Sequence, residues 1–251
     1  MVNTWLLFMA KGGNMTATNF IPTQNYQHLA ERCKGVLDSR LSIELAEVSG
    51  PAGRGKTTAV QHLVAQWPNA VYLRFNEDMR FGNRIYSEVA YRLTGTRPEK
   101  TRQSWSIIEK ALSERRYILF FDEADRLSVR HLNALRDLHD NFQTPVVFVG
   151  EEPLIAKVDS ERRLRDRMAF RLQFKPITEA DVIMVFKMAD VSLADMDRKV
   201  LLQAIELLLS KSGGTFRPVV HFARECRRVM NVNEMKVVTL DVIRSVCRGR
   251  K

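Results

Sequence analysis

Eight consecutive residues, Gly50, Pro51, Ala52, Gly53, Arg54, Gly55, Lys56 and Thr57, carry the strongest chemical signal in the chain, with Thr58 beside them. Glycines at three of these positions let the backbone curl until successive N–H groups converge on one point. A helix starting at Lys56 adds its own unpaired N–H donors. Such a cradle suits phosphate. Lys56 would neutralise the β- and γ-phosphates and Thr57 would hold Mg²⁺, so ATP and Mg²⁺ are expected. The plain alternative is a glycine-rich turn with an incidental lysine. An apolar run before the turn and a helical pattern after it favour the cradle.

The second signal is Asp122-Glu123-Ala124-Asp125 at the end of the apolar run Tyr117 to Phe121. A carboxylate ending a buried strand is where a phosphate-loop fold needs its Mg²⁺ partner, so Asp122 takes that role. Glu123 is the residue expected to orient and polarise an attacking water. Glu123 and Asp125 could instead cap the next helix. The letters also suggest a helicase, but such motors need a second sheet-containing lobe, and the residues after Pro176 have helical spacing only.

Elements that would position these residues alternate along the chain. Strands are predicted at Ile43 to Val48, Ala70 to Phe75, Tyr117 to Phe121, Pro145 to Val149 and Phe170 to Phe174. Helices are predicted at Lys56 to Trp67, Arg84 to Leu93, Ser104 to Arg115 and Leu127 to Phe142. This order implies an α/β fold with a five-stranded parallel sheet covered on both faces. Beyond Pro176 come helical stretches only, at Val182–Ala189, Val200–Leu209, Val219–Met230 and Leu240–Val246. The expected organisation is a leader over 1–24, an α/β nucleotide-binding domain over 25–176 and a small all-helical lid over 177–251. Within the leader, Lys11-Gly12-Gly13 back-translates to a purine-rich ribosome-binding sequence, so the native start is expected at Met15.

The 251 residues suit one domain with an appendage, and 45% hydrophobic content excludes disordered and collagen-like chains. The three cysteines have no metal-ligand spacing and read as reduced thiols, and the apolar runs are too short for a membrane span, so a cytoplasmic protein is expected. The net charge of +10 is concentrated. Residues 80–116 hold nine cations against four acids, 161–175 six against two, and 216–251 nine against three. Concentrated basicity is what a phosphate-binding surface requires.

With its phosphate loop, its Asp-Glu-Ala-Asp strand end, the strand Pro-Val-Val-Phe-Val-Gly150 and the later Gly-Thr-Phe-Arg217-Pro, the chain resembles the AAA+ ATPases. Within them it is similar to the transposition target activators, the branch of the phage Mu B protein. The resemblance implies a three-layer P-loop sandwich with a helical lid. It further implies ATP-driven assembly into a ring or helical filament on double-stranded DNA, delivery of that DNA to a transposase, and disassembly on hydrolysis. Arg217 would touch the γ-phosphate in cis. One of Arg162, Arg163, Arg165 and Arg167, with Arg167 favoured, would act as an arginine finger on a neighbouring subunit's nucleotide. The basic loop with Arg97, Lys100 and Arg102 would touch the DNA backbone with little sequence preference.

One residue departs from the family pattern: Glu151 stands where a neutral polar sensor residue is usual, and a carboxylate there would repel a γ-phosphate unless paired. Two other readings remain open. One is a different AAA+ or STAND-type ATPase, such as a secretion-linked one; the other is a non-hydrolysing, nucleotide-gated DNA scaffold. The tail Arg248-Gly249-Arg250-Lys251 is either a second DNA or transposase contact or a solubilising end.

Overall fold

Ile118–Asp122 (β3) is buried at all five residues, which is what a central strand covered on both faces requires. The computed structural model describes residues 20–38, 45–76 and 83–249; the expected start at Met15 lies outside the described residues. Around β3 lie Leu45–Ser49 (β1), Ala70–Arg74 (β2), Val146–Val149 (β4) and Met168–Gln173 (β5). All pair in parallel, in the order β2-β3-β4-β1-β5. The α/β fold with a five-stranded parallel sheet is therefore present.

Alternation along the strands sends side chains to two separate cores. Leu119 and Phe121 of β3, with Val146 and Phe148 of β4, face a cluster that Asn83–Thr94 (α3), Thr101–Glu114 (α4) and Val129–Phe142 (α5) complete. Phe75, Phe121 and Phe148 stack through that layer, with centroid separations of 5.6 and 6.3 Å. Ile118, Phe120, Val147 and Val149 face the other side, packed with Gln24–Asp38 (α1) and Lys56–Gln66 (α2). Helix α1 was not foreseen. Its apolar positions Leu29, Cys33 and Val36 are spaced as one helical stripe, next to residues that were read as leader.

Between β4 and β5 lie two further helices that the sequence reading passed over, Glu152–Ser160 (α6) and Arg162–Arg165 (α7). The helix expected over Leu127 to Phe142 starts at Val129, after a 3₁₀ turn at Ala124–Arg126, because Ser128 caps it by accepting from the His131 N–H. Strand β5 begins two residues earlier than expected.

Thr23–Ile177 together with Ser212–Arg217 form one compact unit; Thr178–Lys211 and the described part of Pro218–Lys251 belong to a second. Where the sequence reading cut the chain once, near Pro176, the contacts return six residues to the α/β unit. The second unit holds Glu179–Met188 (α8), Leu240–Arg248 (α11), Arg198–Ser212 (α9) up to Lys211 and Phe216–Val232 (α10) from Pro218, with Val182, Phe186, Leu208, Phe222 and Ile243 buried. Thr178 and Asp181 form a reciprocal capping box at the start of α8, and Thr239 caps α11. Cys33, Cys226 and Cys247 are buried free thiols. Among the described residues no helix is long and apolar enough to cross a membrane.

One buried charge stands out in the sheet. Glu47 of β1 is 1% exposed, and its Oε2 accepts from Arg171 of β5 at 2.9 and 2.7 Å. Arg171 also donates to Asp159 of α6 at 2.6 Å. Removing the guanidinium would strand the Glu47 carboxylate. Arg171→Met is expected to lower stability by about 3 kcal/mol in urea unfolding, and Glu47→Leu added to it should recover most of that loss.

Candidate functional site

In a parallel sheet every βα turn lies at the same edge, so β1, β3 and β4 all deliver their ends to one side. The turn after β1 is the glycine-rich loop. Gly50, Gly53 and Gly55 have φ of 137°, 77° and 89°, values that side-chain-bearing residues rarely adopt. Helix α2 starts from Gly55 with no side-chain cap, leaving its first N–H groups open to an anion. Ala52 is exposed at the tip of the turn, and Thr58 is half-buried in the first turn of α2.

Lys56 is buried, and its ammonium donates to the carbonyls of Gly50 at 2.7 Å and Pro51 at 2.9 Å. Burial lowers its pKa, opposed by the carboxylates of Glu151, Asp122, Asp125 and Glu152. Glu151, the departure from the family pattern, thus leads the charges that favour the lysine cation. Its backbone N–H donates to Asp125 Oδ1 at 3.0 Å, which ties the end of β4 to the loop after β3.

Asp122 is 2% exposed and fully engaged. Its Oδ2 accepts from Thr57 Oγ1 at 2.8 Å and from the Tyr72 hydroxyl at 2.7 Å, and its Oδ1 accepts from the Glu123 N–H at 2.9 Å. Burial, then the Asp122 charge and hydrogen bond, push the Tyr72 phenol upward, so it is a neutral donor. Oxygen donors this close, one hydroxyl and one carboxylate, form a pair suited to a hard cation such as Mg²⁺. The sequence placed Thr57 and Asp122 together, and the structure does so.

Glu123 has φ of 57°, a left-handed conformation that a glutamate adopts only when its surroundings hold it there. Arg74 of β2 donates to Glu123 Oε1, with Nε at 2.7 Å, and Arg126 pairs with Oε2. That hydrogen bond, before all else, raises the Arg74 pKa. Neither arginine nor Tyr72 was singled out from sequence. The available signal was period-two polarity in Tyr72-Leu-Arg74, which puts two polar side chains on one face of a strand ending beside Asp122.

Arg54 donates through Nη1 to the Gly214 carbonyl, and the Phe216 N–H donates to the Gly53 carbonyl at 2.9 Å. The segment carrying Arg217 is therefore hydrogen-bonded to the glycine-rich loop itself. Arg217 is exposed and has no ion pair among the described residues.

The other expected residues fall in two groups, the arginine-finger candidates and the basic loop. Arg167 precedes β5, and its carbonyl accepts from the Leu45 N–H at the start of β1. A five-residue strand separates that end from the loop, about 15 Å. Arg167 therefore cannot serve its own loop, and any role there is in trans. Its guanidinium donates to Asp140 at 2.9 Å, Arg162 and Arg165 pair with Asp166, and exposed Arg163 has no ion pair among the described residues. Arg97 is turned back onto buried Glu88 at 2.6 Å and lies 4.5 Å over the Tyr91 ring. Lys100 stands at the cap of α4 and Arg102 in its first turn, both exposed.

Gly214 and Gly95 have similar φ, 69° and 77°, but different surroundings. A Cβ at Gly95 meets nothing within 4 Å, whereas one at Gly214 collides with Arg54 Nη1 and lies 2.9 Å from Pro176 Cβ. Gly95→Ala should cost about 1 kcal/mol of left-handed strain. Gly214→Ala should cost more and weaken binding of a fluorescent ATP analogue, read by urea unfolding and fluorescence titration.

Residues 44–158 match the family model described as an AAA domain. A potential ATP-binding protein of Staphylococcus aureus is 23% identical over 129 residues, which are 50% of this chain and 48% of that protein, so the chain spans about half the length of this curated relative. The ORC2 protein of Aeropyrum pernix, solved in ADPNP–ADP complexes, superposes with a TM-score of 0.64 at 14% identity over 91% of this chain and 68% of that one. The ORC1 protein of the same organism, solved in complex with DNA, gives 0.60 at 16% identity over 90% and 64%. At such identities the structural likeness establishes the fold. What the likenesses support is a match of residues 44–158 to the AAA domain model and an α/β fold, with its five-stranded parallel sheet, of the kind these structures share.

Proposed function

We propose that the chain is a Mg²⁺-dependent ATPase that works on double-stranded DNA as an oligomer. The observation that carries this reading is the meeting of Thr57 and Asp122 at 2.8 Å beside an uncapped helix start, with Glu123 next in the chain. Thr57 and Asp122 would hold Mg²⁺, which when bound neutralises charge on the phosphates. Lys56 leaves the loop carbonyls to meet the β- and γ-phosphates, and the α2 N–H groups bind their oxygens. Glu123, once released from Arg74, orients the attacking water by accepting its proton. Arg167 or Arg163 of a neighbouring copy supplies a cation to the transferring phosphoryl group, and Arg217 supplies one in cis.

Support for DNA comes from the basic segments and from the ORC1 likeness, a protein solved with DNA. The more particular reading is that ATP-bound subunits assemble as a ring or filament on duplex DNA in the cytoplasm and present it to a transposase, with hydrolysis releasing the assembly. It rests on the motif resemblance, an argument by analogy. Arg97 contributes to the loop mainly by bracing it against Glu88, which leaves Lys100 and Arg102 as the cations that reach phosphate.

Glu123→Gln should bind the fluorescent ATP analogue as wild type does while phosphate release falls at least about 100-fold. Equal rates would remove Glu123 from the reaction, and a wild type that releases no phosphate would favour the scaffold reading. Lys100→Ala combined with Arg102→Ala should weaken duplex binding without sequence bias. It should also flatten the plot of log affinity against log salt by about 2. An unchanged slope would place the DNA elsewhere.

A further inference from the structure

Two side chains of the edge strand β2, Tyr72 and Arg74, reach the two carboxylates that follow each other at the end of β3. Arg74 is exposed and holds Glu123. Tyr72 is more enclosed and holds Asp122, and a Gln61 side chain on α2 hydrogen-bonds the same phenol. Asp122 Oδ2 thus has two hydroxyl donors, at 2.8 Å from Thr57 and 2.7 Å from Tyr72.

The two donors differ in what carries them. Thr57 belongs to the first turn after the glycine-rich loop, so its hydroxyl moves with whatever the loop binds. Tyr72 is fixed in the sheet, in register with Phe120 two residues before Asp122. A carboxylate held only by its own backbone and by a loop-borne hydroxyl could rotate as that loop adjusts. A third donor from the sheet removes that freedom before any metal arrives. Groups that orient a metal-supporting carboxylate in this way change metal affinity tenfold or more when removed.

Resting on the nucleotide–Mg²⁺ reading of this site, we propose that Tyr72 is a positioning residue for Mg²⁺, locking the Asp122 carboxylate through its hydroxyl so that the site is preorganised for the ion. Loss of the hydroxyl leaves Oδ2 with a single donor and lets the carboxylate swing. The consequence falls on Mg²⁺ and leaves the phosphate cradle, which Tyr72 does not touch, as it was.

The test is a Mg²⁺ titration of mant-ATP binding to the full chain, followed by fluorescence, for wild type and Tyr72→Phe. The variant should need about tenfold more Mg²⁺ for half-maximal enhancement, with mant-ATP affinity in EDTA unchanged. A merely structural tyrosine would give the opposite pattern: lower affinity in EDTA and an unmoved Mg²⁺ midpoint. That result, or an unmoved midpoint alone, overturns the proposal. Should Tyr72→Phe fail to fold by its thermal transition, Gln61→Ala at the exposed neighbour decides. A midpoint raised about twofold supports the proposal and none refutes it. Wild type that binds mant-ATP without responding to Mg²⁺, or does not bind it, would overturn both this inference and the reading beneath it.

Discussion

An ionised carboxylate enclosed at the end of a strand must be met by donors, and Asp122 is met by three. Everything else at the site depends on how they are supplied. The Glu123 N–H comes from the chain itself, the Thr57 hydroxyl from the helix after β1, and the Tyr72 hydroxyl from the strand at the sheet edge. Three separate elements thus converge on one group, so burying the charge also fixes their mutual placement. The polar requirement of one side chain becomes a packing rule for the α/β unit.

Parallel pairing makes that convergence possible. With β4 lying between β3 and β1, the turns after Val149, Asp122 and Ser49 emerge side by side, and the bond from Glu151 to Asp125 stitches two of them together. Four acids on those turns, Glu151, Asp122, Asp125 and Glu152, act on Lys56. Glu151 is therefore part of a balanced charge set: its carboxylate helps to keep Lys56 charged against burial. An incoming phosphate would take the place of the Gly50 and Pro51 carbonyls as partner of the ammonium.

Much of this could be read from the residues. Glycines with a lysine and threonine at fixed spacing, and a carboxylate closing an apolar run, depend on local backbone geometry, and local geometry is written locally. The five strands were legible for the same reason. Side-chain pairings across elements were not: Arg171 with Glu47, Arg74 with Glu123 and Arg97 with Glu88 join residues whose partnership only register and packing decide. Arginines counted as free surface charge were in part already spoken for. Helix α1 escaped notice because its polar face outweighs three well-spaced apolar residues. The return of residues 212–217 to the α/β unit escaped it because a backbone hydrogen bond, Phe216 to Gly53, leaves no mark on sequence pattern.

The left-handed backbone at Glu123 has an evolutionary corollary. Asparagine or glycine would rest there more comfortably than glutamate, so selection for stability alone pulls this position away from an acid. A lineage that ceased to need the carboxylate would be under no pressure to keep it, and drift at this single codon would be among the earliest traces of lost turnover. If Glu123 acts on water as proposed above, surveying descendants for what occupies the position would separate those that keep this chemistry from those that have lost it without an assay.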